Sequence, residues 1–124
     1  MKRPILICLF ALMGVAQATW AQTVTTVTDE TGLRDAIANG ANIKLRNDIT
    51  IKKEMEIKAN VSVTIDLNGK TLDRGLSNKA SYGHVLKVLS GGSLTINDSS
   101  GDNSGTIKGG YTGTGGAINN AGIF

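Results

Sequence analysis

The chain has 124 residues, with 13 basic and 10 acidic side chains, sixteen glycines, one cysteine and one proline. Cys8 and Pro4 both lie in the first ten residues, so the rest of the chain has no disulfide framework and no Cys-based metal site. Residues 22–124 hold 11 basic against 10 acidic groups and only Tyr82, Tyr111 and Phe124 as aromatics, which argues against a nucleic-acid surface with its basic stripe and stacking rings.

Residues 1–21 read as a secretory signal peptide. Lys2 and Arg3 supply the positive start. Residues 5–15 are an apolar run well short of the roughly 20 residues a helix needs to cross a bilayer. Thr19-Trp20-Ala21 is a small-residue cleavage pattern, which makes Gln22 the expected first residue of the exported form and 22–124 its domain. Cys8 sits inside the apolar run rather than at its end, where a lipid-bearing cysteine belongs.

Residues 23–28 predict a short strand, and residues 29–39 a helix. Leu33, Ala36 and Ile37 recur at helical spacing on one stripe, Thr28 or Asp29 can cap its start, and Gly40 suits a left-handed stop. Beyond Gly40 that period gives way to short apolar alternations around Ile43, Ile49, Ile57, Val63, Leu72, Val88, Leu94, Ile107 and Ile118. Asn, Asp, Gly and Ser clusters separate them, as turns do.

Strands this short are poor material for an antiparallel sandwich, whose strands usually run to about five or six residues. Internal self-similarity points elsewhere. Ile49-Thr50-Ile51, Val63-Thr64-Ile65 and Leu94-Thr95-Ile96 repeat an apolar-Thr-Ile unit. Val63-Thr64-Ile65-Asp66 leads through Asn68-Gly69 to Thr71-Leu72, just as Leu94-Thr95-Ile96-Asn97 leads through a longer insertion to Thr106-Ile107. Repeats that tolerate inserts between strands predict an all-β parallel solenoid of roughly four coils, about 20 residues each, with Ile51, Val63, Ile65, Leu94, Ile96 and Ile107 pointing into a common stack.

These residues carry a resemblance. The helix ending at Asn39, then Ile43-Lys44-Leu45-Arg46-Asn47-Asp48-Ile49-Thr50-Ile51, Ile65-Asp66-Leu67-Asn68-Gly69-Lys70-Thr71-Leu72, Gly92-Ser93-Leu94-Thr95-Ile96-Asn97-Asp98 and Gly105-Thr106-Ile107-Lys108-Gly109-Gly110, resembles the opening of the right-handed parallel β-helix (pectate-lyase-like) surface proteins of bacteria. Gly115-Gly116-Ala117-Ile118-Asn119-Asn120 is similar to the Gly-Gly-Ala-Ile units of polymorphic outer-membrane protein repeats. The resemblance implies a right-handed β-helix with an N-terminal capping helix, continued for further coils, so that Phe124 falls where another coil is expected to begin.

Pectate lyases and polygalacturonases share that fold, but none of their catalytic residues can be carried onto this chain. Asp66 and Asp73 flank the Asn68-Gly69 turn and read as strand-end residues, and His84 reads as a satisfied loop histidine. The polar insert 97–105 offers Asp98 and Asp102 as calcium candidates, without the EF-hand spacing or a bidentate Glu, and a solvated turn is the plainer reading. The glycines of 109–116 lack the Gly-Lys-Ser/Thr ending of a phosphate loop and read as tight corners. Lys52, Lys53 and Lys58, balanced by Glu54 and Glu56, read as a solvated face rather than a groove. No cofactor is expected.

Two functions follow as expectations. The first is an exported, non-catalytic module of the cell surface or secreted space, adhesive or binding a glycan or protein, with self-association through an uncovered C-terminal coil. The second is the N-terminal part of a polysaccharide lyase or glycoside hydrolase of the β-helix fold, with its catalytic coils beyond residue 124.

Overall fold

The computed structural model describes residues 23–114 and 116–124, so the expected signal peptide lies outside the described residues. In chain order the elements are β1 (Val24–Val27), α1 (Glu30–Ala38), β2 (Asn42–Leu45), β3 (Ile49–Thr50), β4 (Met55–Ile57), β5 (Ser62–Asp66), β6 (Thr71–Asp73), β7 (Leu86–Val88), β8 (Ser93–Asn97), β9 (Thr106–Lys108) and β10 (Ile118–Asn120).

Helix α1 begins where the sequence supplies a cap. The Asp29 carboxylate accepts the Gly32 N–H at 2.8 Å, Glu30 sits at the positive end of the dipole, and Gly40 at φ +68° lets the chain leave the helix. Leu33, Ala36 and Ile37 are the buried stripe, and the helix packs on β1, β2 and β4. So short a helix is marginal alone, and this packing is what holds it.

The strands form three parallel sheets, ordered β1-β2-β5-β8, β3-β6-β9 and β4-β7-β10. From β2 onward the chain visits them in the same order three times. The fold is therefore largely β, built of parallel sheets with one short helix among the described residues, and the antiparallel sandwich is set aside. The register matches the sequence repeat: Val63 pairs with Leu94, Ile65 with Ile96, Thr71 with Thr106 and Leu72 with Ile107. The step from Ile43 to Ile65 is 22 residues and from Ile65 to Ile96 it is 31, the longer step holding the loop 74–85.

One grouping differs from expectation. Ile49-Thr50 does not align with Val63-Thr64; Ile49 pairs with Leu72 in another sheet, and Ile43 is the residue in register with Ile65. Alternation of period two marks which side of a strand faces inward, but it is the same for every sheet and does not say which sheet a strand joins.

The interior is aliphatic: Ile43, Leu45, Ile57, Ile65, Leu72, Leu86 and Leu94 are among its buried side chains. Of the expected stack, Ile51, Val63, Ile65 and Leu94 are fully inside, whereas Ile96 and Ile107 are only partly buried against the cluster. Both belong to strands at sheet edges, β8 and β9; Ile123 bridges the start of β8 at Ser93, but among the described residues no strand pairs with Ile96 or Ile107 on that flank.

Candidate functional site

The two calcium candidates lie on the loop between β8 and β9, and their carboxylates are engaged by the chain itself. Asp98 Oδ1 accepts the N–H groups of Gly69 (2.9 Å) and Ser100 (3.1 Å), and Oδ2 accepts that of Gly105 (2.7 Å). The Ser100 hydroxyl is the largest influence on this carboxylate, followed by the Gly105 N–H, and together with Gly69 they hold its pKa at about 2. Ser100 Oγ nevertheless lacks a partner at hydrogen-bond geometry, so the N–H donors are the firmer part of that cause. Asp102 is lowered by the Ser104 hydroxyl first, at 2.7 Å, and its Oδ1 also accepts the Ser104 N–H at 3.1 Å. Both acids thus brace the insert, and among the described residues no group of three or more His, Cys, Asp or Glu is arranged to hold a metal.

Asp66 and Asp73 are strand-end residues, as read. Asp66 Oδ1 accepts the N–H groups of Asn68 and Ser99, both at 2.9 Å. Partial burial opposes its ionisation, but the Ser99 and Asn68 hydrogen bonds outweigh that and lower its pKa. Asp73 accepts the Gly75 N–H at 2.8 Å and faces Lys108 at 3.9 Å. Between them, Asn68 (φ +52°) and Gly69 (φ +73°) make a turn with both central residues left-handed, closed by the Lys70 N–H on the Leu67 carbonyl at 2.8 Å.

His84 is more deeply placed than a loop histidine on the surface: it is 5% exposed. Its Nδ1 lies 3.2 Å from Glu54 Oε1, and its Nε2 lies 3.3 Å from both Thr112 Oγ1 and Asn119 Nδ2. With Nδ1 protonated, the ring donates to Glu54 and accepts from Thr112 and Asn119, so the neutral imidazole is satisfied at both ends. Glu54 is only 7% exposed, and its second oxygen sits 3.9 Å from Lys87 Nζ with no hydrogen-bond partner. This chain of polar groups ties the segments before β4 and β7 to β10 and the loop preceding it.

The basic face is corrected by this arrangement. Glu54 is buried rather than solvated, and Lys53, Glu56 and Lys58 line a groove of ≈ 740 Å³ with Arg34, Val61 and Tyr82. Arg34 crosses from α1 to reach the Lys53 and Glu54 carbonyls at 3.3 Å each, while holding Glu30 at 2.8 Å. Burial works against ionising Glu30, yet the Arg34 guanidinium and the Lys52 N–H lower its pKa on balance. Glu56 alternates with inward Met55 and Ile57 and points outward from β4, whereas Glu54, just before the strand, is covered. The cover over Glu54 comes from His84 and Lys87, and no local pattern announces it.

The glycine-rich loop 109–116 also differs in detail. Gly109 does need its positive φ of +80°, but Gly110 and Gly116 are required because each backbone approaches the other too closely for a Cβ. Comparison of the chain with protein-family models, with curated proteins and with solved structures gives no match.

Proposed function

We propose that the chain is an exported, non-catalytic module of the cell surface or secreted space, shaped as a short right-handed parallel β-helix capped by α1, that works by binding a glycan or protein. The observation that supports this reading best is the repeated order of sheets: three strands in turn, three times over, each in parallel register with its predecessor. Parallel crossover connections are right-handed in about 98% of cases, and stacked repeats of this kind present extended binding faces. Export is supported by the leader-like residues 1–21.

The non-catalytic part of the reading is favoured because the acids of the 97–105 insert are spent on backbone N–H groups and His84 is closed in by Glu54, Thr112 and Asn119. Purified chain incubated with polygalacturonate and calcium is expected to release neither unsaturated products nor new reducing ends. Turnover that disappears in His84→Ala or Asp98→Ala would overturn it, and exported material whose intact mass retains residues 1–21 would remove the export claim.

Strands β9 and β10 stand at sheet edges, and Ile123 and Phe124 are 71% and 62% exposed. Unpaired edges template further pairing, so self-association belongs to the same proposal. Light scattering should report a concentration-dependent mass that Ile118→Lys with Ile123→Lys returns to the monomer; a wild-type chain that is monomeric throughout would refute it.

A further inference from the structure

Strand β4 is an edge strand of its sheet. The Met55 N–H donates to the Val85 carbonyl at 3.0 Å and the Ile57 carbonyl accepts the Leu89 N–H at 2.9 Å, so these two residues face β7. Backbone groups alternate in direction along a strand, which turns the N–H and C=O of Glu56 the other way. On that side no strand among the described residues pairs with them. Upstream the edge is closed by Arg34, which takes the Lys53 and Glu54 carbonyls. Between β4 and the last turn of α1 runs the groove of ≈ 740 Å³, with Ile37 and Ala38 of the helix against Met55 and Val61 as its apolar lining. Tyr82, 70% exposed, adds a large ring with a polar tip beside it.

We propose that the edge of β4 and this groove take an extended acidic segment of a partner protein, which adds as a strand beside β4, seats alternate apolar side chains in the groove and sets its carboxylates against Lys53 and Lys58. The inference rests on the binding-module reading and names the partner as a protein. Charge selects the acidic class. Arg34 is answered by Glu30, and Glu54 by His84 and Lys87. Lys53 and Lys58 are exposed, and among the described residues neither has a carboxylate within ion-pair distance; at the groove only Glu56 stands against the two. The strand edge selects a polypeptide. A single-chain amphiphile such as a fatty acid would satisfy the apolar lining and the lysines, but it would leave the Glu56 N–H and C=O to water, whereas another backbone pairs with both.

The experiment titrates the full chain with a fluorescent peptide alternating valine and glutamate, with its valine-lysine counterpart, with the valine-glutamate peptide N-methylated on alternate backbone nitrogens, and with laurate. Anisotropy gives the peptide affinities, and NMR follows the Glu56 amide. The valine-glutamate peptide should bind saturably, slow hydrogen exchange at Glu56, and bind about tenfold or more tightly than the lysine counterpart. Lys53→Glu with Lys58→Glu should invert that preference with circular dichroism unchanged, since both side chains are exposed. N-methylation should abolish binding. Equal binding of the two charged peptides, retention by the N-methylated one, or binding of laurate with no peptide bound would each overturn the proposal while leaving the module reading in place. Turnover of polygalacturonate is a separate signal and would count against the module reading instead.

Discussion

Ile65 is fully buried in β5, in register with Ile43 on one side and Ile96 on the other. Ile65→Ala removes three carbons, worth about 2.4 kcal/mol at ~0.8 kcal/mol each. The neighbouring strands are fixed by their ladders and can close the gap only in part, so a cavity term raises the loss to about 3–4 kcal/mol, inside the range of ~2–5 kcal/mol for such truncations. Ile107 pairs with Leu72 from the edge strand β9 and is only partly buried. Having less burial to lose, Ile107→Ala should cost about 1–2 kcal/mol. Urea unfolding followed by circular dichroism measures both against a total of roughly 5–15 kcal/mol, provided the denaturant slope is shared. Equal losses at the two positions, or less than about 1 kcal/mol at Ile65, would refute the inward ladder.

The Asp98 carboxyl, at about 2 in the fold and at ~3.9 when unfolded, is depressed, so its contribution to stability is present above about pH 4 and is lost as pH falls towards 2. Asp98→Asn should lessen the fall of the unfolding midpoint across that window, the lowered Asp66, Asp102 and Glu30 keeping the rest of it, and excess calcium should leave the wild-type midpoint unchanged. Asp29→Ala removes the cap on the Gly32 N–H and should cost about 1 kcal/mol in chemical unfolding. His84→Ala strands Glu54 Oε1 in the interior and should cost about 1–3 kcal/mol, with backbone exchange rising in the loop 109–114; unchanged exchange there would mean the tie is not holding the loop.

Much of this was legible where a repeat carried its own register. Val63-Thr64-Ile65-Asp66 and Leu94-Thr95-Ile96-Asn97 look alike because they occupy equivalent positions in adjacent strands, and the helix stripe with its Asp29 cap is equally local. Sheet membership of Ile49 was not legible, since inward-outward alternation is common to all three sheets. The burial of Glu54 and His84 was hidden for a different reason. Nothing near Glu54 in sequence marks it; residues 30 and more positions later fold over it. Tyr82 and Tyr111 stand out in the sequence only as rare aromatics, because the backbone pairing of their two loops is not local.

The crossed carboxylates of the turn at Asn68-Gly69 have a consequence for the order in which the chain can settle. Asp66 holds the Ser99 N–H, and Asp98 holds the Gly69 N–H in return. The earlier turn therefore lacks one of its acceptors until a residue 29 positions later has emerged. A chain halted before Asp98 during synthesis would carry Gly69 with its amide open to water, and arrival of the later loop would close both amides together. In hydrogen exchange the Gly69 and Ser99 amides should consequently open as a single unit, although one lies in a tight turn and the other in a long loop.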